Sequence, residues 1–245
     1  MKVLFISLGC DKNLVDSEHM SGILAKAGYE FTDDENEADV IIINSCCFIH
    51  DAKEESINTI FEMARYKEEG KCKALVLAGC LAQRYYEEIK EEIPEIDICI
   101  GTTAIDSIAK ALNEFFTKEH NIQIINDVDL LSGINAPRHL STMGSYAYLK
   151  IAEGCDKHCT YCIIPKIRGN YRSVEMEVLL KEAKELADRG VKEIILVAQE
   201  TTMYGKDIYG EKSLHILLKE LAKIEGIYWI RILYCYPEEI YDELI

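Results

Sequence analysis

Apolar residues in the first 116 positions follow two alternating rhythms. Short runs that are apolar at nearly every position (VLFISL at 3–8, VIII at 40–43, ALVLA at 74–78, ICI at 98–100) are separated by longer stretches, 13–28, 52–70, 84–92 and 104–116, where apolar residues recur every three or four positions. The continuous runs predict strands buried on both faces, and the 3.6-residue period predicts amphipathic helices. Gly28 and Gly70 close the first two helices, and Pro94 stops the third. Strand and helix in strict alternation predict a doubly wound parallel sheet with helices on both faces.

The rhythm lapses over residues 117–145, where NIQIIN reads as one short strand and residues 129–145 as a turn-rich linker. A second βα series follows: strand at 145–154, helix at 173–190, strand at 192–199, helix at 213–226, strand at 228–237, and the start of another helix at 238–245. The expected organisation is an α/β domain over 1–116, a linker over 117–145, and part of a (β/α) barrel or curved parallel sheet over 146–245.

Composition narrows the setting. The chain has 245 residues, 49% hydrophobic and 29% charged, and no apolar run approaches the roughly 18 residues of a membrane span. Its start, MKVLFISLGC, faintly imitates a signal peptide, but Asp11 and Lys12 follow with no small-residue cleavage site, so it reads as a first strand of a cytoplasmic protein. Ten cysteines in a reducing compartment point to metal or catalysis rather than disulfides. The net charge of −16 argues against general affinity for nucleic acid and favours a basic protein partner, or simply solubility. Residues 1–116 hold 23 acidic against 11 basic side chains, a balance of −12.

Six cysteines fall in two patterns. Cys155, Cys159 and Cys162 form a C-x3-C-x2-C loop directly after a predicted strand. A structural zinc site takes four ligands, and His158, beside Cys159, is poorly placed to be the fourth. Three thiolates suit an iron–sulfur cluster with one iron open to a small ligand. Cys10, Cys46 and Cys80 each stand just past a predicted parallel strand, 36 and 34 residues apart, about one βαβ unit each. Corresponding strand ends share one edge of a parallel sheet, so the three thiols are poised for a shared metal site, with structural cysteines as the alternative. Cys46 holds the slot equivalent to Cys10 and Cys80, and Cys47 is expected to point elsewhere. Cys72, Cys99 and Cys235 stand alone.

GCDKHCTYCIIPKIRG resembles the radical SAM signature of the methylthiotransferases, and SLGCDKNLVDSE, INSCCF and LAGCLAQRY resemble the segments that supply that family's auxiliary cluster. SLGC-x-KNLVDSE, CIIP-x-IRG and VAQETTMYG are closer to the branch that modifies an aspartate of a small-subunit ribosomal protein than to the tRNA-modifying branch. The resemblance implies a partial radical SAM barrel after the first domain. It implies one 4Fe–4S cluster on Cys155, Cys159 and Cys162, a second on Cys10, Cys46 and Cys80, and S-adenosyl-L-methionine as cofactor. The implied reaction inserts a methylthio group at the β-carbon of an aspartate in a basic ribosomal protein, with electrons from a flavodoxin- or ferredoxin-type donor. A tRNA adenosine substrate and a non-catalytic iron–sulfur carrier are the alternatives. Tyr161 and Gln199 are the implied cofactor-binding residues. Lys166, Arg168 and Arg172 form a basic rim, and Asn13 stands near the first cluster. Three departures accompany the resemblance: Cys47 where Gly is common, leaving an exchange of roles between Cys46 and Cys47 open; Val174 where Arg is common; and no later barrel strands or TRAM domain, as in a truncated or split enzyme.

Overall fold

Residues 1–118, 121–142 and 144–245 are described in the computed structural model, which divides into two units, Met1–His139 and Leu140–Ile245. In the first, Lys2–Ser7 (β1), Glu30–Phe31 (β2), Val40–Ser45 (β3), Ala74–Gly79 (β4), Ile98–Ile100 (β5) and Ile122–Ile124 (β6) form a six-stranded sheet in the order β2-β1-β3-β4-β5-β6. Every pairing in it is parallel. The helices are Asp11–Lys26 (α1), His50–Ala64 (α2), Tyr66–Glu69 (α3), Cys80–Glu92 (α4) and Ile108–Lys118 (α5). Every residue of β3 and β4 is buried, as expected of central strands covered on both sides. Val3, Met20, Leu24, Ile42, Val76 and Ile98 belong to one continuous core on one side of the sheet. Each such side chain contributes roughly 1.5–3 kcal/mol through burial.

This strand order places a topological switch point between β1 and β3, because the chain leaves β1 for β2 on one side and returns to β3 on the other. Open α/β sheets hold ligands in the crevice outside the carboxyl ends of their strands at such a point. Cys10 follows β1 and Cys46 follows β3.

Two boundaries differ from the sequence expectation. Helix α4 begins at Cys80 rather than Arg84, because Gly79, at φ +89°, turns the chain directly from β4 into the helix. The short strand expected at NIQIIN is β6, which joins the sheet, and residues 132–139 of the expected linker fold back onto the first unit. Arg138 pairs with Glu18 at 2.6 Å, both side chains being buried, and Gly133 N and Ser132 Oγ donate to Asp106 Oδ2. Glu119, His120 and Met143 of the expected linker lie outside the described residues.

The second unit contains Tyr146–Lys150 (β7), Ala152–Glu153 (β8), Ile164–Arg168 (α6), Arg172–Ser173 (β9), Met176–Asp188 (α7), Glu193–Val197 (β10), Lys206–Tyr209 (α8), Leu214–Leu221 (α9) and Trp229–Ile232 (β11). Strands β7, β10 and β11 form a parallel sheet in the order β11-β10-β7, the expected βα series. The strand predicted over 145–154 breaks at Ile151, and β8 leaves the sheet to pair antiparallel with β9. Residues 238–245 form two short 3-10 turns rather than the expected helix. Glu239 is held there by Lys157 and Lys212, each at 2.8 Å, and Tyr241 meets the His215 ring edge-on. Among the described residues no helix is long and apolar enough to cross a membrane.

Candidate metal centres

The first centre is built on three strand ends and three helix starts. Cys10 is the N-cap of α1 and Cys80 the first residue of α4, while Cys46 and Cys47 lead into α2. Asn13 ties the three strand ends together. Its amide donates to Leu8 O at 3.0 Å and to Ser45 O at 2.9 Å, and its Oδ1 lies 3.9 Å from Cys80 Sγ. Asn13 itself is held by Asn44 Nδ2, which donates to its carbonyl at 2.7 Å. Ser56 fixes the Cys46 backbone by accepting from its N–H and donating to its carbonyl.

Gly9 completes the enclosure. At φ +87° it turns the chain from β1 toward Cys10, and a Cβ there would stand 2.6 Å from Cys46 Cβ and 2.9 Å from Cys46 Sγ. The Cys46 side chain thus lies against the Gly9 turn. The Cys47 thiol donates instead to the carbonyl of Cys80 at 3.3 Å, and burial pushes its pKa up to about 11 against the opposing charge of Arg84.

The second centre is the loop between β8 and α6. Gly154 has φ +72°, and a Cβ there would meet Asn170 O at 1.9 Å, so the loop's two ends touch. The β8–β9 ladder, the bond from Cys155 N to Gly169 O and the bond from Tyr171 N to Asp156 Oδ1 close the same base. Beneath it lies a buried ion cluster: Glu153 Oε1 accepts from Lys150 Nζ at 2.6 Å and from Arg168 Nη1 at 3.0 Å. Burial raises the Glu153 pKa, but the Arg168 and Lys150 charges outweigh it and hold the carboxyl near 2. Cys155 and Cys162 are half-buried and Cys159 is exposed; burial pushes the Cys155 thiol up.

The remaining expected residues are spread around this loop. Tyr161 is 87% exposed. Gln199 is half-buried two residues past β10. Its neighbour Glu200, which sequence reasoning did not single out, is buried. Glu200 Oε1 accepts from Tyr236 N and Thr202 N, and its Oε2 stands 3.9 Å from Lys157 Nζ within the thiol loop. Of the expected basic rim, Arg168 is not rim but core, 2% exposed, while Lys166 is exposed. Arg172 donates to the carbonyl of Arg168.

Among the described residues no three His, Cys, Asp or Glu side chains converge on a point able to hold a single metal ion. An iron–sulfur cube takes each thiolate on a different iron, so its ligands need to surround a cavity rather than meet. The chemistry of each donor set, three free cysteines near a strand end, suits such a cluster.

Comparison with known proteins adds sequence evidence. Residues 2–101 match the Uncharacterized protein family UPF0004, and residues 149–245 match the Radical SAM superfamily. A protein of Lachnoclostridium phytofermentans named Ribosomal protein uS12 methylthiotransferase RimO is 62% identical over all of this chain and 56% of its own length. A protein of the same name from Acetivibrio thermocellus is 56% identical over all of this chain and 55% of its own length. The chain thus carries a UPF0004 region followed by a Radical SAM region, and it is similar over its whole length to proteins named methylthiotransferases. It spans about half the length of the curated relatives it matches. Two solved structures share the fold. The cobalamin-dependent S-adenosylmethionine radical enzyme OxsB is 15% identical with a TM-score of 0.59, over 93% of this chain and 38% of its own. The radical S-adenosylmethionine methyltransferase TsrM from Kitasatospora setae is 14% identical with a TM-score of 0.59, over 99% of this chain and 57% of its own.

Proposed function

We propose that this chain carries two 4Fe–4S clusters and S-adenosyl-L-methionine, and that it takes part in inserting a methylthio group at the β-carbon of an aspartate of the basic small-subunit ribosomal protein uS12. The observation that carries this reading is the presence of two separate cysteine trios, one at the carboxyl-terminal edge of the six-stranded parallel sheet and one on the loop after β8, in a chain whose curated relatives are named for that reaction. Cys155, Cys159 and Cys162 hold the first cluster, and Cys10, Cys46 and Cys80 the second. When bound, the clusters and S-adenosyl-L-methionine supply the electron, the carbon radical, the sulfur and the methyl group, chemistry that belongs to the cofactors rather than to protein side chains.

The chain's own part is to place and shield them. The exposed Cys159 loop leaves one side of its cluster open to cofactor and to a flavodoxin- or ferredoxin-type donor. Glu153, Arg168 and Lys150 hold the base of that loop in one conformation. Tyr161 and Gln199 flank it as cofactor-facing groups. Asn13, Gly9 and Ser56 keep the first trio at the switch point of the sheet. A cytoplasmic setting agrees with thiol-borne clusters and a ribosomal substrate.

The test is anaerobic reconstitution with iron and sulfide, followed by incubation with S-adenosyl-L-methionine, a reductant and uS12. The expected products are 5′-deoxyadenosine and a uS12 aspartate carrying a methylthio group, both read by mass spectrometry. Reconstituted clusters with no cofactor cleavage would reduce the chain to an iron–sulfur carrier. A methylthio group on tRNA instead of uS12 would reassign the substrate.

A further inference from the structure

A groove of about 200 Å³ lies between α2 and α4 on the first unit, and none of its lining residues is a cysteine. Its walls are apolar: Ile57 from α2, and Leu81, Tyr85 and Ile89 from α4. Helical geometry breaks at Tyr85 inside α4, so the break falls within the groove wall. On α2, exposed Phe61 stands one helical turn beyond Ile57 and continues the apolar stripe past the groove.

The two ends of this groove differ in charge. At one end Lys53 and Arg84 stack over the Tyr85 ring, at 5.6 and 4.7 Å from its centroid. At the other, Glu88 and Glu92 line the rim. From residue 86 to residue 95 the exposed charges are five glutamates against the single Lys90. An apolar channel with an acidic rim is complementary to a segment that is apolar on one side and basic on the other. The direction of α4 matters too. Because the helix starts at Cys80, a chain seated with its cations on Glu88 and Glu92 runs along Leu81 toward the first cysteine trio.

We propose that this groove is the docking channel for a basic segment of the polypeptide substrate, guiding it toward the Cys10, Cys46 and Cys80 edge. The proposal rests on the reading of that substrate as the basic ribosomal protein uS12. It adds a recognition surface on the first unit, distinct from the radical centre on the second.

The experiment measures binding of fluorescently labelled uS12 to the reconstituted 245-residue chain. Three variants are compared: Glu88→Lys with Glu92→Lys; Ile57→Ser; and, as a control with the same change in net charge, Glu30→Lys with Asp33→Lys at the β2 side. All four affected carboxylates are exposed, and circular dichroism checks that each variant folds. The groove pair is expected to weaken binding about tenfold, with Ile57→Ser weakening it less and the control pair leaving it nearly unchanged. Wild-type binding is expected to fall as salt rises. Equal loss in both charge pairs would mean that overall charge, not the groove, attracts uS12. Unchanged binding in all variants would place uS12 elsewhere and overturn the groove alone. No binding by the wild-type chain would overturn the substrate reading, and the groove's assignment with it. A self-association that the groove pair abolishes would assign the surface to a second copy of the chain.

Discussion

Gly9 stands against Cys46 so closely that a methyl group on Gly9 would lie 2.9 Å from the Cys46 sulfur. The contact joins the loop after β1 to the loop after β3, across the switch point of the sheet. It makes the position of one thiol depend on a residue that carries no side chain.

Gly9→Ala therefore acts on the first centre twice. A φ of +87° costs an L-residue about 1–2 kcal/mol, and the new Cβ must displace Cys46. The expected result is a folded chain whose iron content after reconstitution falls from about eight to about four atoms. Retention of full iron would show that Cys46 does not need its observed position.

The carboxylate of Glu153 holds two cations in a nearly dry setting, under the loop that bears Cys155, Cys159 and Cys162. Glu153→Gln preserves the shape but removes the negative charge that pairs with buried Lys150 and Arg168, an expected loss of about 3–5 kcal/mol. Denaturant unfolding followed by far-UV circular dichroism is expected to show that loss. Replacing Glu153 and Arg168 together by Gln and Met is expected to recover part of it. If the double variant is no more stable than Glu153→Gln, the two side chains are not acting as a pair.

Much of this arrangement was legible in the sequence, for definite reasons. Fully buried strands such as Val40–Ser45 show as unbroken apolar runs, and thiols at corresponding strand ends must share an edge in a parallel sheet. What escaped depends on partners far away in the chain. Residues 132–139 carry no periodicity, yet Arg138 returns to Glu18 across 120 positions to cover α1. The helix expected over 238–245 is lost because Lys157 and Lys212 hold Glu239 in a turn. Glu200 was passed over for Gln199, since adjacent residues at a strand end face opposite ways and only the fold shows which one turns toward Lys157.

Burial separates the ten cysteines chemically in the metal-free chain. It pushes Cys99 up to about 12, so at pH 8 only about one molecule in ten thousand carries its thiolate. Cys47, at about 11, is about tenfold more available, though still almost wholly protonated. Because the shift is upward, reactivity at both sites is expected to increase as pH rises toward these values. Iodoacetamide at pH 8, followed by peptide mass spectrometry, is expected to label exposed Cys159 first and Cys47 and Cys99 last. Early labelling of Cys99 would contradict the packing of β5 into the sheet.

The central claim is that each of two cysteine trios holds its own cluster, with Cys46 rather than Cys47 in the first. Iron and sulfide analysis of the anaerobically reconstituted chain tests it most directly. About eight irons are expected for the unaltered protein and for Cys47→Ala, and about four for Cys46→Ala and for Cys159→Ala. Four irons in Cys47→Ala with eight in Cys46→Ala, or no more than four in the unaltered chain, would contradict it.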